Sequence, residues 1–327
     1  MSGPFFIVGS ARSGTTMLRM MMNAHPLVAV PPESRFVVEL WPGRDAIDSD
    51  AWLEQLAAHE RFVAWDLPVD AVRAEMGERT TVAYHEAVDA AFTAYARARG
   101  KIRWGDKTPR YIEHIELLAS LFPDARFVHV VRDGRNVALS YADVPFGPKT
   151  VARAAALWRD RVRAGMRAGR SLGAARYLEL RYEDVVAGEE AVAATARRLS
   201  DFLELEFHAD MLDPATHARA EVLARASLYN PHVVGKPIAA TRSWERDMAP
   251  PHVEVFEAVA GGLLSELGYP RRHPAPRAGA RARARLGRAG LPLGRLRPSS
   301  TDGGKKEAGD RSPRGHDAEP DEGDGAT

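Results

Sequence analysis

The 327-residue chain contains no cysteine, which excludes disulfides, thiolate nucleophiles and cysteine-ligated zinc together. Long hydrophobic runs are also missing: no stretch approaches the ~18 apolar residues that a bilayer-spanning helix needs. Charge of one sign is absent too, with 45 Lys and Arg against 44 Asp and Glu and a formal net charge of +1. Nothing in the overall charge therefore points to a nucleic acid, and any contact with a polyanion must be local. The histidines His25, His85, His114, His129 and His208 form no H-E-x-x-H or similar cluster, so no metal is expected. No charged n-region or separate apolar h-region precedes the first hydrophobic run at Phe5, so no leader is expected and the expected location is the cytoplasm.

One further absence bears on the ligand. The run Phe5-Phe6-Ile7-Val8-Gly9-Ser10-Ala11-Arg12-Ser13-Gly14-Thr15-Thr16 reads as an apolar strand entering a phosphate loop. A nucleoside-triphosphate loop has the pattern G-x-x-x-x-G-K-[ST], in which the lysine reaches the outer phosphates. Here Gly9 and Gly14 keep the spacing, but Thr15 stands where the lysine belongs. Such a loop still offers orphan N–H groups and the positive end of a helix macrodipole to an anion. Arg12 supplies the replacement charge.

A second segment, from Arg126 through Val131-Arg132-Asp133-Gly134-Arg135-Asn136 to Ser140 and Tyr141, repeats the layout of strand, basic turn and helix. Together, R-S-G-T-T after one strand and V-R-D-G-R-N-V-x-x-S after another resemble the sulfotransferases that use 3′-phosphoadenosine 5′-phosphosulfate (PAPS). The resemblance implies that Arg12, Ser13, Gly14, Thr15 and Thr16 hold the 5′-phosphosulfate and that Arg132 and Ser140 hold the 3′-phosphate. It extends to Asn23-Ala24-His25-Pro26 and Pro31-Pro32-Glu33-Ser34-Arg35, which are similar to the A-H-P and E-x-R elements of the tyrosylprotein sulfotransferase branch. It implies Glu33 as catalytic base and Arg35 as an acceptor-binding residue. Trp104-Gly105-Asp106-Lys107-Thr108-Pro109 resembles the D-K-x-P segment, making Lys107 the cation at the bridging oxygen, and Leu180-Arg181-Tyr182-Glu183-Asp184-Val185 makes Tyr182 a contact on the adenine side. The segment Thr241-Arg242-Ser243-Trp244 departs from the family pattern, and neither Arg242 nor Ser243 is assigned.

Plainer readings stand beside these. Arg132 and Ser140 are also compatible with a helix-start ion pair to Asp133 and a buried hydroxyl. Lys107 beside Asp106, and Glu33 two residues from Arg35, fit structural ion pairs. Tyr182 suits core packing as well as adenine contact. Met17, Met21 and Met22, with Leu18, recur at helical spacing as core filler.

The pattern of elements predicts an α/β, P-loop-type, mainly parallel sheet flanked by helices, with ligands beyond the carboxyl ends of the strands. Helical patterns run over Ser49–Phe62, Thr81–Arg99, Pro109–Leu121, Thr150–Gly169, Glu189–Leu203 and Pro251–Leu267, with strands at Phe127–Val131 and Arg176–Leu180. One domain is expected over residues 1–270. The remaining 271–327, rich first in Arg, Ala and Gly and then acidic, reads as a disordered tail whose basic part offers a contact to an acidic surface.

The expected reaction is transfer of a sulfuryl group from PAPS to the hydroxyl of a small molecule, glycan, lipid or peptide. Glu33 takes the acceptor proton, while Lys107, Arg12 and the loop N–H groups stabilise the departing phosphate. A P-loop kinase or nucleotide hydrolase and a non-catalytic nucleotide-binding protein are the alternatives.

Overall fold

The structure, a computed structural model, describes residues 3–213 and 243–296. The first half contains β1 (Phe5–Gly9), α1 (Thr15–Ala24), β2 (Val28–Ala29), α2 (Phe36–Glu39), β3 (Ala46–Asp48), α3 (Ser49–Ala58), α4 (Glu60–Val63), α5 (Val69–Met76), β4 (Thr81–Ala83), α6 (Tyr84–Arg97) and β5 (Arg103–Lys107). A 3-10 turn (Pro109–Glu113), α7 (Ile115–Leu121), β6 (Arg126–Val131), α8 (Gly134–Tyr141), α9 (Val151–Leu172), β7 (Tyr177–Arg181), α10 (Tyr182–Val185) and α11 (Glu189–Leu203) follow. After a second 3-10 turn at Ala209–Leu212 come α12 (Trp244–Asp247), α13 (Pro250–Glu266) and α14 (Ala278–Arg288).

Five strands form one sheet in the order β2-β5-β1-β6-β7, and every neighbouring pair is parallel. Both faces are covered, as parallel sheets require. Alternate residues of β1 serve opposite faces. Phe6 and Val8 pack into an aromatic-rich core with Trp65, Phe92, Trp104 and Phe127. Phe5 and Ile7 join Val128 and Val130 against Met17, Leu18, Met21 and Met22 of α1 and Leu199 of α11. The methionines are core filler, as their spacing indicates; Met21 and Met22 are fully buried. A third cluster joins α8, α9, α13 and α14 around Trp158 and Phe256.

The parallel sheet and the major elements match the sequence pattern, while several boundaries differ. The helix expected over Ser49–Phe62 breaks at His59, whose backbone is extended at φ −76° and ψ 123°. Thr81–Ala83 forms a strand paired antiparallel to β3 before α6 begins. Pro109 opens a 3-10 turn rather than a continuous helix, and His114 separates it from α7.

The disorder expected from residue 271 is corrected over 271–296. Ala280, Ala284 and Gly287, at i, i+4 and i+7, line the buried face of α14. A Cβ added at Gly287 would lie 2.9 Å from that of Ala152, so α14 and α9 approach through small residues. Glu254 of α13 accepts from both the backbone N–H and the guanidinium of Arg277 at 2.7–3.1 Å, and Arg277 holds its carboxyl down to about 2. Leu296 N–H then donates to the Lys149 carbonyl at 2.9 Å. Low hydrophobicity was a poor guide because alanine and glycine bury little area yet permit close helix contact. The tail beyond 296 lies outside the described residues, as does Arg242.

Placing a charge in this seam should release the helix. Ala284→Asp is expected to accelerate tryptic cleavage within Ala278–Arg288 severalfold while leaving the sheet intact. Identical cleavage rates in variant and wild type would mean that the alanine face does not dock.

Candidate active site

The side chains singled out in the sequence gather where the five strands end. Glu33 follows β2, Lys107 ends β5, the Ser10–Gly14 loop follows β1, Arg132 follows β6 and Tyr182 follows β7. Strand order therefore sets them side by side as Glu33, Lys107, loop, Arg132 and Tyr182.

The loop after β1 leads directly into a helix N-terminus. Gly14 stands before α1 at φ 94°, and no side chain caps the helix, whose first turn holds no acidic residue. The Met17 N–H donates to the Gly14 carbonyl at 3.0 Å, and among the described residues no side-chain cap serves the N–H groups before it. Arg12 also adopts a left-handed backbone, φ 73°, a conformation that costs energy in any residue with a Cβ. Its Nε donates to Ser140 Oγ at 2.9 Å, and Arg132 Nη1 donates to the Arg12 carbonyl at 3.1 Å. Two motifs 120 residues apart in the chain are thereby joined into one cradle. Ser13 Oγ and Arg132 Nε are buried with no hydrogen-bond partner among the described residues. Thr15 is buried and Thr16 partly so.

Tyr182 closes the cradle on one side. The Arg132 guanidinium carbon lies 4.5 Å from its ring centroid, and a Cβ at Gly14 would collide with the ring. Glycine is required there for both its positive φ and its lack of bulk.

The ion pair suggested between Arg132 and Asp133 is not the one that forms. Asp133 accepts from Arg135, at 3.0 Å from Nε and 2.7 Å from Nη2, and Arg135 Nη1 donates to Glu257 at 2.8 Å. Asp133 Oδ1 also caps α8 through the Arg135 N–H, and Trp158 Nε1 donates to the Arg132 carbonyl at 3.0 Å. The turn is thus held from both sides, leaving the Arg132 side chain at the sheet edge.

On the other flank, Lys107 Nζ lies 2.6 Å from Glu33 Oε1, with the lysine side chain nearly buried and the glutamate about one-third exposed. Burial pushes the Glu33 carboxyl up, but Lys107, with Arg61 and Arg35, outweighs it and holds the group below its ordinary value. Arg35 does not pair directly with Glu33. It adopts φ 50° and binds Glu39 at 2.8 Å and Glu60 at 3.3 Å.

The sulfotransferase family model matches residues 4–209 of the chain. The chain belongs to the sulfotransferase family. Sulfuryl transfer is the chemistry of this enzyme family. A nodulation protein, NoeE, of Sinorhizobium fredii is 34% identical over 150 residues, covering 43% of this chain and 32% of that protein. The chain thus matches about a third of the length of this relative. Protein-tyrosine sulfotransferase A of Caenorhabditis elegans is 25% identical over 288 residues, covering 84% of this chain and 69% of the relative. The sulfotransferase domain of the Synechococcus PCC 7002 olefin synthase shares the fold with a TM-score of 0.58 at 23% identity, across 83% of this chain and 97% of that domain. The sulfotransferase domain from the curacin biosynthetic pathway shares it at 0.55 and 18% identity, across 83% and 99%.

In this sulfotransferase a buried network lies behind the Glu33–Lys107 pair. Ser34 Oγ donates to Asp106 Oδ2 at 2.5 Å, Thr108 Oγ1 donates to Asp106 Oδ1 at 2.9 Å, and Tyr111 Oη lies 2.9 Å from Ser34 Oγ. The network ties the residue after Glu33 to the residue before Lys107. Sequence reading placed Asp106 as a possible partner of Lys107 and missed Ser34, Thr108 and Tyr111. D-K-T-P carried the signal for Asp106 and Thr108, but the Ser34 contact spans 72 residues and exists only in the fold. Ser243, left unassigned, caps α12 through its backbone and donates its hydroxyl to Glu245.

Burial raises the Asp106 carboxyl from 3.8 to about 7, with Glu33 adding to the effect and Ser34, Thr108 and Lys107 opposing it. A carboxyl raised in the folded state binds its proton more tightly there, so stability falls as pH rises from near 3.8 to about 7. Asp106→Asn should flatten this decline, as measured by thermal melts across that window. A variant whose melting temperature keeps the wild-type pH slope would show that Asp106 is already ionised at the acid end.

Proposed function

We propose that the chain transfers a sulfuryl group from PAPS to a hydroxyl acceptor and releases adenosine 3′,5′-bisphosphate (PAP). The observation that carries this reading is the junction of Arg12 with Ser140 and Arg132, which merges two anion-binding turns into one surface. The uncapped α1 and the orphaned Ser13 Oγ and Arg132 Nε fit a ligand with separated anionic groups. Thr15 in place of lysine disfavours a γ-phosphate.

In this reading Arg12, Ser13, Gly14, Thr15 and Thr16 hold the 5′-phosphosulfate, Arg132 and Ser140 the 3′-phosphate, and Tyr182 the adenine side. When bound, PAPS supplies the sulfuryl group and a phosphate leaving group. Glu33 accepts the acceptor proton, and Lys107 neutralises charge at the departing oxygen. Their pairing gives the two roles a common control. A new negative oxygen beside Lys107 competes for its ammonium, and Glu33 then returns toward ordinary carboxylate basicity. Arg35, held on Glu39 and Glu60, reaches an acceptor only by exchanging one of those partners. The acceptor class is the hydroxyl of a small molecule, glycan, lipid or peptide.

Calorimetry tests the cofactor. PAP should bind more tightly than ATP with magnesium, and Arg132→Ala should weaken PAP by about 1.5–3 kcal/mol through loss of a charge-assisted contact. ATP binding equal to or tighter than PAP removes the basis for the reading.

Kinetics test the pair. Glu33→Gln should lower kcat by about 10²-fold or more with PAPS affinity nearly unchanged. Lys107→Ala should lower both rate and PAPS affinity, and it should shift the acid limb of kcat upward in pH because Glu33 loses the cation that depresses its carboxyl. A Glu33→Gln enzyme with more than about a tenth of wild-type kcat is incompatible with a general base at this position.

A further inference from the structure

The corrected C-terminal segment creates a second cationic site. Between α9, α13 and α14 lies a cavity of about 420 Å³, within the size range of small-ligand pockets. Among the described residues its wall carries Arg159, Arg271, Arg281, Arg285 and Arg288 and a single carboxylate, Glu257. No residue of the loop after β1 lines it.

Glu257 does not balance these cations, because its oxygens are already engaged. They accept from the buried Arg135 at 2.8 Å and from the N–H groups of Arg272 and His273 at 3.0 and 2.6 Å. Arg159 is paired with its neighbour Asp160 at 2.7 Å. Arg271 directs Nη2 to the carbonyls of His273 and Pro274, while its Nε is buried with no acceptor among the described residues. Arg281, Arg285 and Arg288 have no ion-pair partner among the described residues.

Their placement is a consequence of packing. Ala280, Ala284 and Gly287 are pressed against the domain, and Arg281, Arg285 and Arg288 sit one residue further along at the same i, i+4 and i+7 positions. The stripe is therefore fixed beside the cavity. Like charges at i and i+4 destabilise a helix, so the arrangement is unfavourable until an anion lies among them. Guanidinium forks match the paired oxygens of phosphate and sulfate better than a point charge does.

We propose that this cavity binds a compact polyanion carrying two or more phosphate or sulfate esters, at a site separate from the sulfuryl-transfer site. The shared chemistry admits a soluble ligand or a lipid headgroup. The proposal does not depend on the identity of the cofactor.

The test titrates tripolyphosphate into the full chain and into Arg285→Gln and Arg283→Gln. The last is a control with the same charge change on α14 but outside the cavity wall. Arg285 is exposed and glutamine is a good helix former, so the fold should persist, which melting temperatures verify. Arg285→Gln should weaken a tripolyphosphate site by about tenfold or more, and Arg283→Gln by less than about twofold. A parallel flotation assay uses phosphatidylcholine vesicles with and without phosphatidic acid. Vesicle binding that needs phosphatidic acid and is lost in Arg285→Gln alone supports the site and assigns it a lipid source. Equal weakening in both variants assigns the effect to diffuse charge and overturns the proposal. Absence of binding in both assays, or binding indifferent to Arg285, overturns it as well.

Discussion

Arg135 is fully buried, and its charge is held between Asp133 at 2.7 Å and Glu257 at 2.8 Å, with its guanidinium carbon 3.5 Å from the Trp244 ring centroid. Such a group is tolerated only when its partners are complete, since a lone buried charge costs several kcal/mol. The requirement fixes three segments at once. Asp133 belongs to the turn after β6, Glu257 to α13, and Trp244 to the segment before α13. Because Asp133 also caps α8, satisfying Arg135 sets the turn from which Arg132 projects toward Arg12. The geometry of the anion cradle thus depends on a charge that never touches it.

A different balance governs the other flank. Lys107 is nearly buried and Glu33 only partly so, which makes the pair a solvent-facing carboxylate on a protein-bound cation. Removing the glutamate would therefore leave a nearly buried ammonium without this counter-charge, which is costly. Behind them, Asp106 receives donors from Ser34 and Thr108 and lies on the same strand as Lys107. Those bonds hold the residue after Glu33 to the residue before Lys107, and the Glu33 Oε1–Lys107 Nζ contact lies outside that network.

Legibility from sequence followed the source of burial. β1 is a continuous apolar run, β6 is apolar apart from Arg126 and His129, and α11 shows a helical period, so each was visible from its own residues. β5, Arg103-Trp104-Gly105-Asp106-Lys107, has polar residues that are buried only because neighbouring elements supply donors and counter-charges. Nothing local marks it as a central strand. β2 is two residues long and β4 three, too short to carry a period. At the site, Arg12, Glu33, Lys107, Arg132, Ser140 and Tyr182 were named from motifs; the fold sets five of them at the carboxyl ends of the strands, and Ser140, on α8, meets Arg12. The Ser34–Asp106 and Arg135–Glu257 contacts were invisible because their partners lie 72 and 122 residues apart.

α14 shows why composition misled most. Summed hydrophobicity treats an alanine–arginine repeat as solvated chain, but burial at a helix seam depends on which residues share a face. With Ala280, Ala284 and Gly287 inward, α14 lies close against α9, and the arginines at the adjacent positions have no freedom to disperse. Glu257, the carboxylate beside them, is committed to Arg135 and so to the turn behind Arg132. The same buried charge that orders the anion cradle therefore withholds a carboxylate from the second cluster, and the positive character of that cavity is a consequence of how the first site is built.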